Sequence, residues 1–556
     1  MDLIKRIRNI FAVSLSAFAL LSSSPAVAQK AMPVAKENAD KPKLIVGIIV
    51  DQMRYDYLFR YRDKFGKGGF MRLLNEGFFC ENAHYNYVPT FTGPGHACVY
   101  TGATPAVNGI IANDWYERNE NDTMYCVQDK SVQTLGSSTN AGMMSPRNLL
   151  TTTITDELRL SNNFQSKVIG ISLKDRGAIL PAGHSANAAY WYDGANGNWI
   201  SSTYYMKDLP AWVKEFNALK LSDSYLSKPW TTLLPIEQYT ESTADDSPYE
   251  EPYPKEVKPV FPHDFPSIRG NDYELVRKSP AGNTLTKELA IAALKGENMG
   301  KGNETDFLAI SFSATDYVGH QFGTNAIETE DTYLRLDKEI ADLLTYLDEN
   351  YGKNNVLVFL TADHGALQNP QYLQDNKIPA RAFKEKDMLR FLNVNLNGIY
   401  GTEKLVSCLI NNQIYLDRNL IEQDQINLGD VQDYVADILF DFDGVANTMT
   451  APQLEFNEYT QGQQSLVQQG FYKKRSGDVM IILEPDLIEY MKRGTTHGAG
   501  YNYDTHVPLI WYGWKIKQGS SSSAVNMVDI AATLAAMLHI EAPNGCTGKP
   551  IESIVK

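Results

Sequence analysis

The sequence predicts an α/β fold: a mostly parallel central sheet flanked by helices and carrying inserted subdomains. Three observations lead there. Short, nearly continuous apolar runs recur along the chain, and stretches with apolar residues at helical spacing separate them. Two long polar or aromatic-rich segments break that rhythm. Runs that are apolar on both alternating faces belong in a sheet covered on both sides. Strands that alternate with helices pair in parallel.

The elements follow in order. Residues 1–28 begin with Lys5, Arg6 and Arg8, continue through an apolar run from Ile10 to Leu21, and end in Ala26-Val27-Ala28. That is the layout of a secretory signal cut before Gln29, and its apolar run falls short of the ~20 residues a membrane span needs. Residues 29–43, with lysines and prolines, read as a linker. A catalytic domain is expected over 44–556, with strands at 44–50, 167–172, 307–312, 356–360, 479–483 and 507–512. Helices are expected at 149–160, 285–294 and 332–347. The interrupting segments, about 196–266 (rich in Trp, Tyr, Pro and acidic residues) and about 382–468 (rich in Asn, Gln and Asp), read as insertions. Such insertions wall sites built at strand ends.

Charge and cysteine content exclude some functions. The 28-residue leader carries a net +2, so its loss takes the formal charge from −15 to −17. A chain this acidic, with no basic stripe, has no footprint for nucleic acid. An anionic substrate must then be met by local cations. Past the leader no segment is long and apolar enough to span a bilayer, so no span is expected in the mature chain. Five cysteines, an odd number with no C-x-x-C, point to neither a disulfide framework nor thiol chemistry.

In open α/β sheets the functional groups gather beyond the carboxyl ends of the strands. Residues 44–50 run into Asp51, and 307–312 lead to Asp316 and, four residues on, His320. Residues 356–360 pass through Thr361-Ala362 into Asp363-His364, and His497 lies in Gly494-Thr-Thr-His-Gly-Ala-Gly500. Singly, each is an ordinary cap, turn or loop residue. Together, three Asp and three His suit two Zn²⁺ ions with open positions, the mark of catalytic zinc. Thr92, in Tyr87-Val-Pro-Thr-Phe-Thr-Gly-Pro-Gly-His-Ala-Cys98, stands where Pro94 opens a helix. Free N–H groups at such an end attract an anion, and a zinc-bound hydroxyl can ionise and attack phosphorus. Thr90 competes for that role on local grounds. Asn113, in Gly109-Ile-Ile-Ala-Asn-Asp-Trp115, offers an amide to a phosphate oxygen. Lys174 and Arg176, in Ser172-Leu-Lys-Asp-Arg-Gly177, suit a dianionic phosphoryl group. If the preceding strand extends, alternation points both the same way.

The motifs Thr-Phe-Thr-Gly-Pro-Gly-His-Ala, Asn-Asp-Trp, Lys-Asp-Arg, Ser-x-x-Asp-x-x-Gly-His, Thr-Ala-Asp-His-Gly and Thr-His-Gly occur in that order. In this the chain resembles the alkaline phosphatase superfamily, most closely its phosphate-irrepressible branch with a threonine nucleophile. The likeness spans nearly all of the mature chain. It implies an alkaline-phosphatase-like domain over 44–556 and two Zn²⁺ per chain. One ion would be held by Asp316, His320 and His497, the other by Asp51, Asp363 and His364 with Thr92. It further implies a phosphothreonine intermediate, Asn113, Lys174 and Arg176 on the nonbridging oxygens, and small phosphate monoesters as substrates; the leader over 1–28 places the enzyme in the periplasm or the medium. The alternative is a phosphodiesterase or nucleotide pyrophosphatase of the same superfamily, with a more apolar pocket for a second ester group. Lys174 and Arg176 favour the extra charge of a monoester. A sulfatase would need C/S-x-P-x-R where Thr92-Gly-Pro-Gly stands.

Overall fold

The computed structural model describes residues 41–489 and 491–556. The expected leader, and the expected linker up to residue 40, lie outside the described residues. Ten strands make the main sheet: β1 (Leu44–Val50), β2 (Phe78–His84), β3 (Thr134–Leu135), β4 (Val168–Ser172), β5 (Ala188–Asp193), β6 (Asn198–Ser202), β7 (Asp306–Phe312), β8 (Val356–Thr361), β9 (Leu509–Gly513) and β10 (Gly519–Asn526). Their spatial order is β10-β2-β9-β8-β1-β7-β4-β5-β6-β3.

The middle five, β8-β1-β7-β4-β5, are all parallel. Every residue of β1, β4, β7 and β8 is buried, as the unbroken apolar runs predict. Because these neighbours run the same way, their carboxyl ends meet along one edge. Antiparallel pairs flank them, β9 on β8 and β6 on β5.

Six helices matter for the site and its support: α1 (Thr92–Thr101), α2 (Asp175–Ala182), α3 (Ala281–Gly296), α4 (Ala314–Phe322), α5 (Ile327–Tyr351) and α6 (Asp529–Leu538). The longest, α5, buries Leu336, Ile340, Leu343 and Leu347, a one-sided helical stripe. Each such side chain contributes roughly 1.5–3 kcal/mol by leaving water. Helix α1 is buried over its whole length and packs on α2 and α6.

One expectation changes. Residues 479–483 do form a strand, but in a separate four-stranded antiparallel sheet with Val406–Ile410, Gln413–Leu416 and Val445–Thr450. This second sheet has its own core, including Leu392, Val431, Val435, Leu439 and Ile481. An apolar run tells that a strand is covered, not which sheet covers it. Arg381–Phe383 and Leu487–Glu489 pair in parallel where the chain enters and leaves this region. In the earlier segment, Asn198–Ser202 is β6 of the main sheet, and Leu209, Val213, Leu226, Trp230 and Tyr253 add to the main core.

Candidate active site

The four adjacent parallel strands β8, β1, β7 and β4 deliver most of the predicted side chains to one edge. Asp51 follows β1, and Asp316 and His320 lie one turn apart on α4 after β7. Asp363 and His364 follow β8, and Lys174 and Arg176 follow β4. Here the strand does not extend: Lys174 is the N-cap of α2 and Arg176 stands in its first turn. Helix geometry, not strand alternation, sets their directions.

Thr92 is the first residue of α1, with Phe91 as N-cap. The backbone N–H of Gly93 donates to Asn113 Oδ1 at 2.8 Å, which ties the Asn113 turn to the start of this helix. With its oxygen so used, Asn113 keeps its NH₂ as donor. Gly95 has a packing reason, since a Cβ there would stand 2.5 Å from the Asp363 carbonyl oxygen. His96 Nδ1 bonds the Thr92 carbonyl at 2.8 Å, and its Nε2 meets Ser311 Oγ at 2.9 Å.

Lys174 sits at the centre. Its Nζ lies 3.2 Å from Thr92 Oγ1, 2.7 Å from Asp51 Oδ2 and 2.6 Å from Asp316 Oδ2. Burial works against its charge, but the Asp316 and Asp51 carboxylates outweigh burial and raise its pKa. Asp316 is buried too, yet the charges of His320 and Lys174 hold it well below the usual carboxylate range. Burial pushes Asp51 up to about 6 and Asp363 well above its ordinary value, the latter helped by Asp51. Thr90 turns elsewhere: its hydroxyl donates to the Ala499 carbonyl at 3.0 Å.

The three histidines share one arrangement. Each Nδ1 meets a backbone carbonyl: His320 that of Thr495 at 2.8 Å, His364 that of Gly365 at 3.0 Å, His497 that of Thr90 at 2.8 Å. A proton held on Nδ1 leaves an Nε2 lone pair for a metal. Those Nε2 atoms point at carboxylates, His320 and His497 at Asp316 (3.1 and 3.5 Å) and His364 at Asp363 and Asp51 (3.4 and 3.6 Å). Ligand atoms of Asp316, His320 and His497 lie within 4.8 Å of one another, and so do those of Asp51, Asp316 and His364. Asp316 thus reaches both groups, while Asp363 stands against His364. Asp51 Oδ1, Asp363 Oδ2 and His364 Nε2 are buried and make no hydrogen bond. Such atoms fit a cation.

Four residues that sequence reasoning missed support this site. Gln52 bonds Asp316 Oδ1 through Nε2 (2.8 Å) and Asp363 Oδ1 through its backbone N–H (3.1 Å). It does so from φ +62, a costly conformation for a residue with a Cβ. Asp504 accepts from the N–H groups of Gly498 and Ala499 (2.8 and 2.7 Å) and so fixes the turn after His497. Tyr125 accepts from Arg176 Nη1 at 3.0 Å and donates to the Asp175 carboxylate. The fourth is His96. Adjacency to Asp51 and Thr92 could have flagged Gln52 and His96. Tyr125 has no local signal, since fifty residues separate it from Asp175.

A family model for type I phosphodiesterase / nucleotide pyrophosphatase matches residues 45–507. The chain is 46% identical to alkaline phosphatase PhoV of Synechococcus elongatus over 97% of this chain and 98% of that one. It is 48% identical to a Myroides odoratus protein named calcium-transporting ATPase, over 94% and 96% of the two chains. The crystal structure of wild-type alkaline phosphatase PafA superposes with a TM-score of 0.90 at 44% identity, covering 93% of this chain and 99% of that one. The chain therefore belongs to the type I phosphodiesterase / nucleotide pyrophosphatase family and, within the alkaline phosphatase superfamily, to the phosphate-irrepressible branch.

Proposed function

We propose that this alkaline phosphatase is an exported, zinc-dependent enzyme that hydrolyses phosphate monoesters through a covalent phosphothreonine at Thr92. One observation carries the reading. The Lys174 ammonium joins Thr92 Oγ1 to Asp51 and Asp316, so nucleophile, cation and both ligand groups share one small volume. Support also comes from a crystallised PafA mutant altered at one threonine, one asparagine, one lysine and one arginine. These are the residue types of Thr92, Asn113, Lys174 and Arg176.

Two Zn²⁺ ions are assigned to Asp316, His320 and His497, and to Asp51, Asp363 and His364 with Thr92. The unpartnered Asp51, Asp363 and His364 atoms support that assignment. When bound, the ions supply positive charge beside the attacking and leaving oxygens. Thr92 Oγ gives its proton to solvent and forms a bond to phosphorus as the ester P–O bond breaks, and the departing alkoxide takes a proton from solvent to leave as the alcohol. Water then adds to phosphorus as the Thr92 Oγ–P bond breaks, phosphate is released, and a proton from that water restores the Thr92 hydroxyl. Lys174, Arg176 and the Asn113 NH₂ hold the nonbridging oxygens, a task mainly of positioning and electrostatics. A monoester carries one more nonbridging charge than a diester, and two cations favour it.

The family name keeps phosphodiester hydrolysis as a second reading. As for the Myroides relative, the terminal phosphate of ATP presents the same dianionic group, and hydrolysis at it fits this site. No helix among the described residues is long and apolar enough to cross a membrane.

The test compares p-nitrophenyl phosphate with bis-p-nitrophenyl phosphate before and after EDTA and zinc readdition. The expected result is a strong monoester preference that chelation abolishes and zinc restores. A diester preference would remove Lys174 and Arg176 from their assigned role. Amino-terminal sequencing of exported protein should begin at Gln29.

A further inference from the structure

Between the second sheet and the segments 88–91 and 496–501 lies a cavity of about 180 Å³ that none of Thr92, Asn113, Lys174 and Arg176 lines. It begins at His497 and Phe91, whose rings meet edge to face at 5.5 Å. Gly498 fits beneath Phe91, where a Cβ would be 2.7 Å from the ring. Of the six metal-type ligands only His497, assigned with Asp316 and His320, borders the cavity. The cavity meets the site at His497.

Its lining is mixed in chemistry. Val88, Met480, Ile482 and Ile488 contribute apolar surface, Asn411, Asn412 and Gln463 contribute amides, Glu385, Glu489 and Asp504 contribute carboxylates, and no Lys or Arg is among the described lining residues. The backbone brings Glu385 and Glu489 together: Glu489 is paired with Phe383 in the parallel two-stranded sheet, and Glu385 follows two residues on.

We infer that this cavity receives the alcohol part of the substrate, and that Glu385 and Glu489 select leaving groups with an apolar body and a hydrogen-bond-donating or cationic end over leaving groups bearing a carboxylate. The inference rests on the phosphomonoesterase reading: there Thr92 is assigned with Asp51, Asp363 and His364, and in-line displacement sends the departing oxygen away from Thr92, toward Asp316, His320 and His497. Burial and the charge of Glu489 push the Glu385 carboxyl up to about 7, so an ammonium or hydroxyl donor placed there relieves a repulsion already present. An apolar body of phenyl size fits the lining, and few convergent polar groups suffice to fix its orientation. A carboxylate beside Glu385 and Glu489 would meet like charge.

Three phenyl phosphates with nearly the same leaving phenol test this: the 4-(2-aminoethyl), 4-(2-hydroxyethyl) and 4-(2-carboxyethyl) esters. Zinc-loaded wild-type enzyme should rank their kcat/KM in that order, the extremes differing by about tenfold or more. In the Glu385→Gln/Glu489→Gln variant the spread should shrink to within about threefold, with methyl phosphate, too small to reach the carboxylates, unchanged. The free alcohols supply a measurement that needs no variant. Tyramine should inhibit p-nitrophenyl phosphate hydrolysis about tenfold better than 3-(4-hydroxyphenyl)propionate. Equal inhibition, or a ranking that survives the double substitution, overturns the inference and assigns any preference to the chain's overall negative charge. Failure of the phosphatase reading looks different, for then wild-type enzyme turns over neither methyl phosphate nor p-nitrophenyl phosphate.

Discussion

Asp51, Asp316 and Asp363 with His320, His364 and His497 form one acid–histidine cluster; Glu256 and Glu328 bonded to His263, with Glu250 and Asp245 beside Glu328, form another. Composition barely separates them, but hydrogen bonding does. In the first, each histidine meets a backbone carbonyl through Nδ1 and turns Nε2 inward. In the second, both ring nitrogens of His263 face carboxylates and neither meets a backbone carbonyl, with Glu256 at 3.0 Å and Glu328 at 3.1 Å. Those two carboxylates overcome the effect of burial and raise its pKa to about 9. A histidine donating from both nitrogens is a cation that closes an ion pair. A histidine with its proton on the backbone side offers a lone pair. Among the described residues only the first cluster gathers three ligand atoms within 4.8 Å. Where the protons go, more than which residues are present, separates a site from a brace.

Substituting one carboxylate in each cluster should break the likeness most plainly. Asp316→Asn and Thr92→Ala should each lower kcat/KM for p-nitrophenyl phosphate by more than about a thousandfold, the scale seen when a nucleophile or its partner is lost. Glu328→Gln should leave kcat/KM within about twofold, because nothing in the second cluster touches substrate. Equal damage from Asp316→Asn and Glu328→Gln would erase the distinction.

Alkaline pH should act on the second cluster next. Folding raises His263 from 6.5 to about 9 and Glu250 from 4.5 to about 10, the latter by burial and the Glu328 charge. Both groups then bind more protons folded than unfolded, so stability falls as pH rises. For His263 the contribution is complete below 6.5 and gone once pH has climbed through about 9, a loss of about 3 kcal/mol. Urea unfolding midpoints between pH 6 and 10 should fall accordingly, and the slope should flatten in His263→Gln. An unchanged slope there would mean that the ion pair does not set alkaline stability.

Tyr125→Phe gives the smallest expected effect and sharpens the reading of the first cluster. Arg176 loses one acceptor, and monoester kcat/KM should fall about tenfold, roughly 1.4 kcal/mol, with diester turnover little changed. A merely structural role for Tyr125 would lower both equally.

The positions of the candidate ligands were legible because strand ends announce themselves. Runs such as 44–50 and 356–360 are apolar throughout and lead to Asp51 and, past Thr361-Ala362, to Asp363, and parallel pairing of β8, β1 and β7 accompanies that burial. Tyr125, Asp504 and His263 were not legible, because their roles come from partners supplied by distant chain segments.

The sequence by itself therefore determined the α/β class, the covered strands, and the residue types Thr92, Asp316 and His364 at their exits, since burial and backbone period are written locally. Only the tertiary structure decided that Lys174 would stand at an N-cap among carboxylates, that residues 479–483 would join a second sheet, and that Thr90 would turn away while Thr92 faced Lys174. Those outcomes depend on which surfaces meet across hundreds of residues. No local pattern of polarity carries that information, because an apolar run or a charged side chain states what it needs and not which segment provides it.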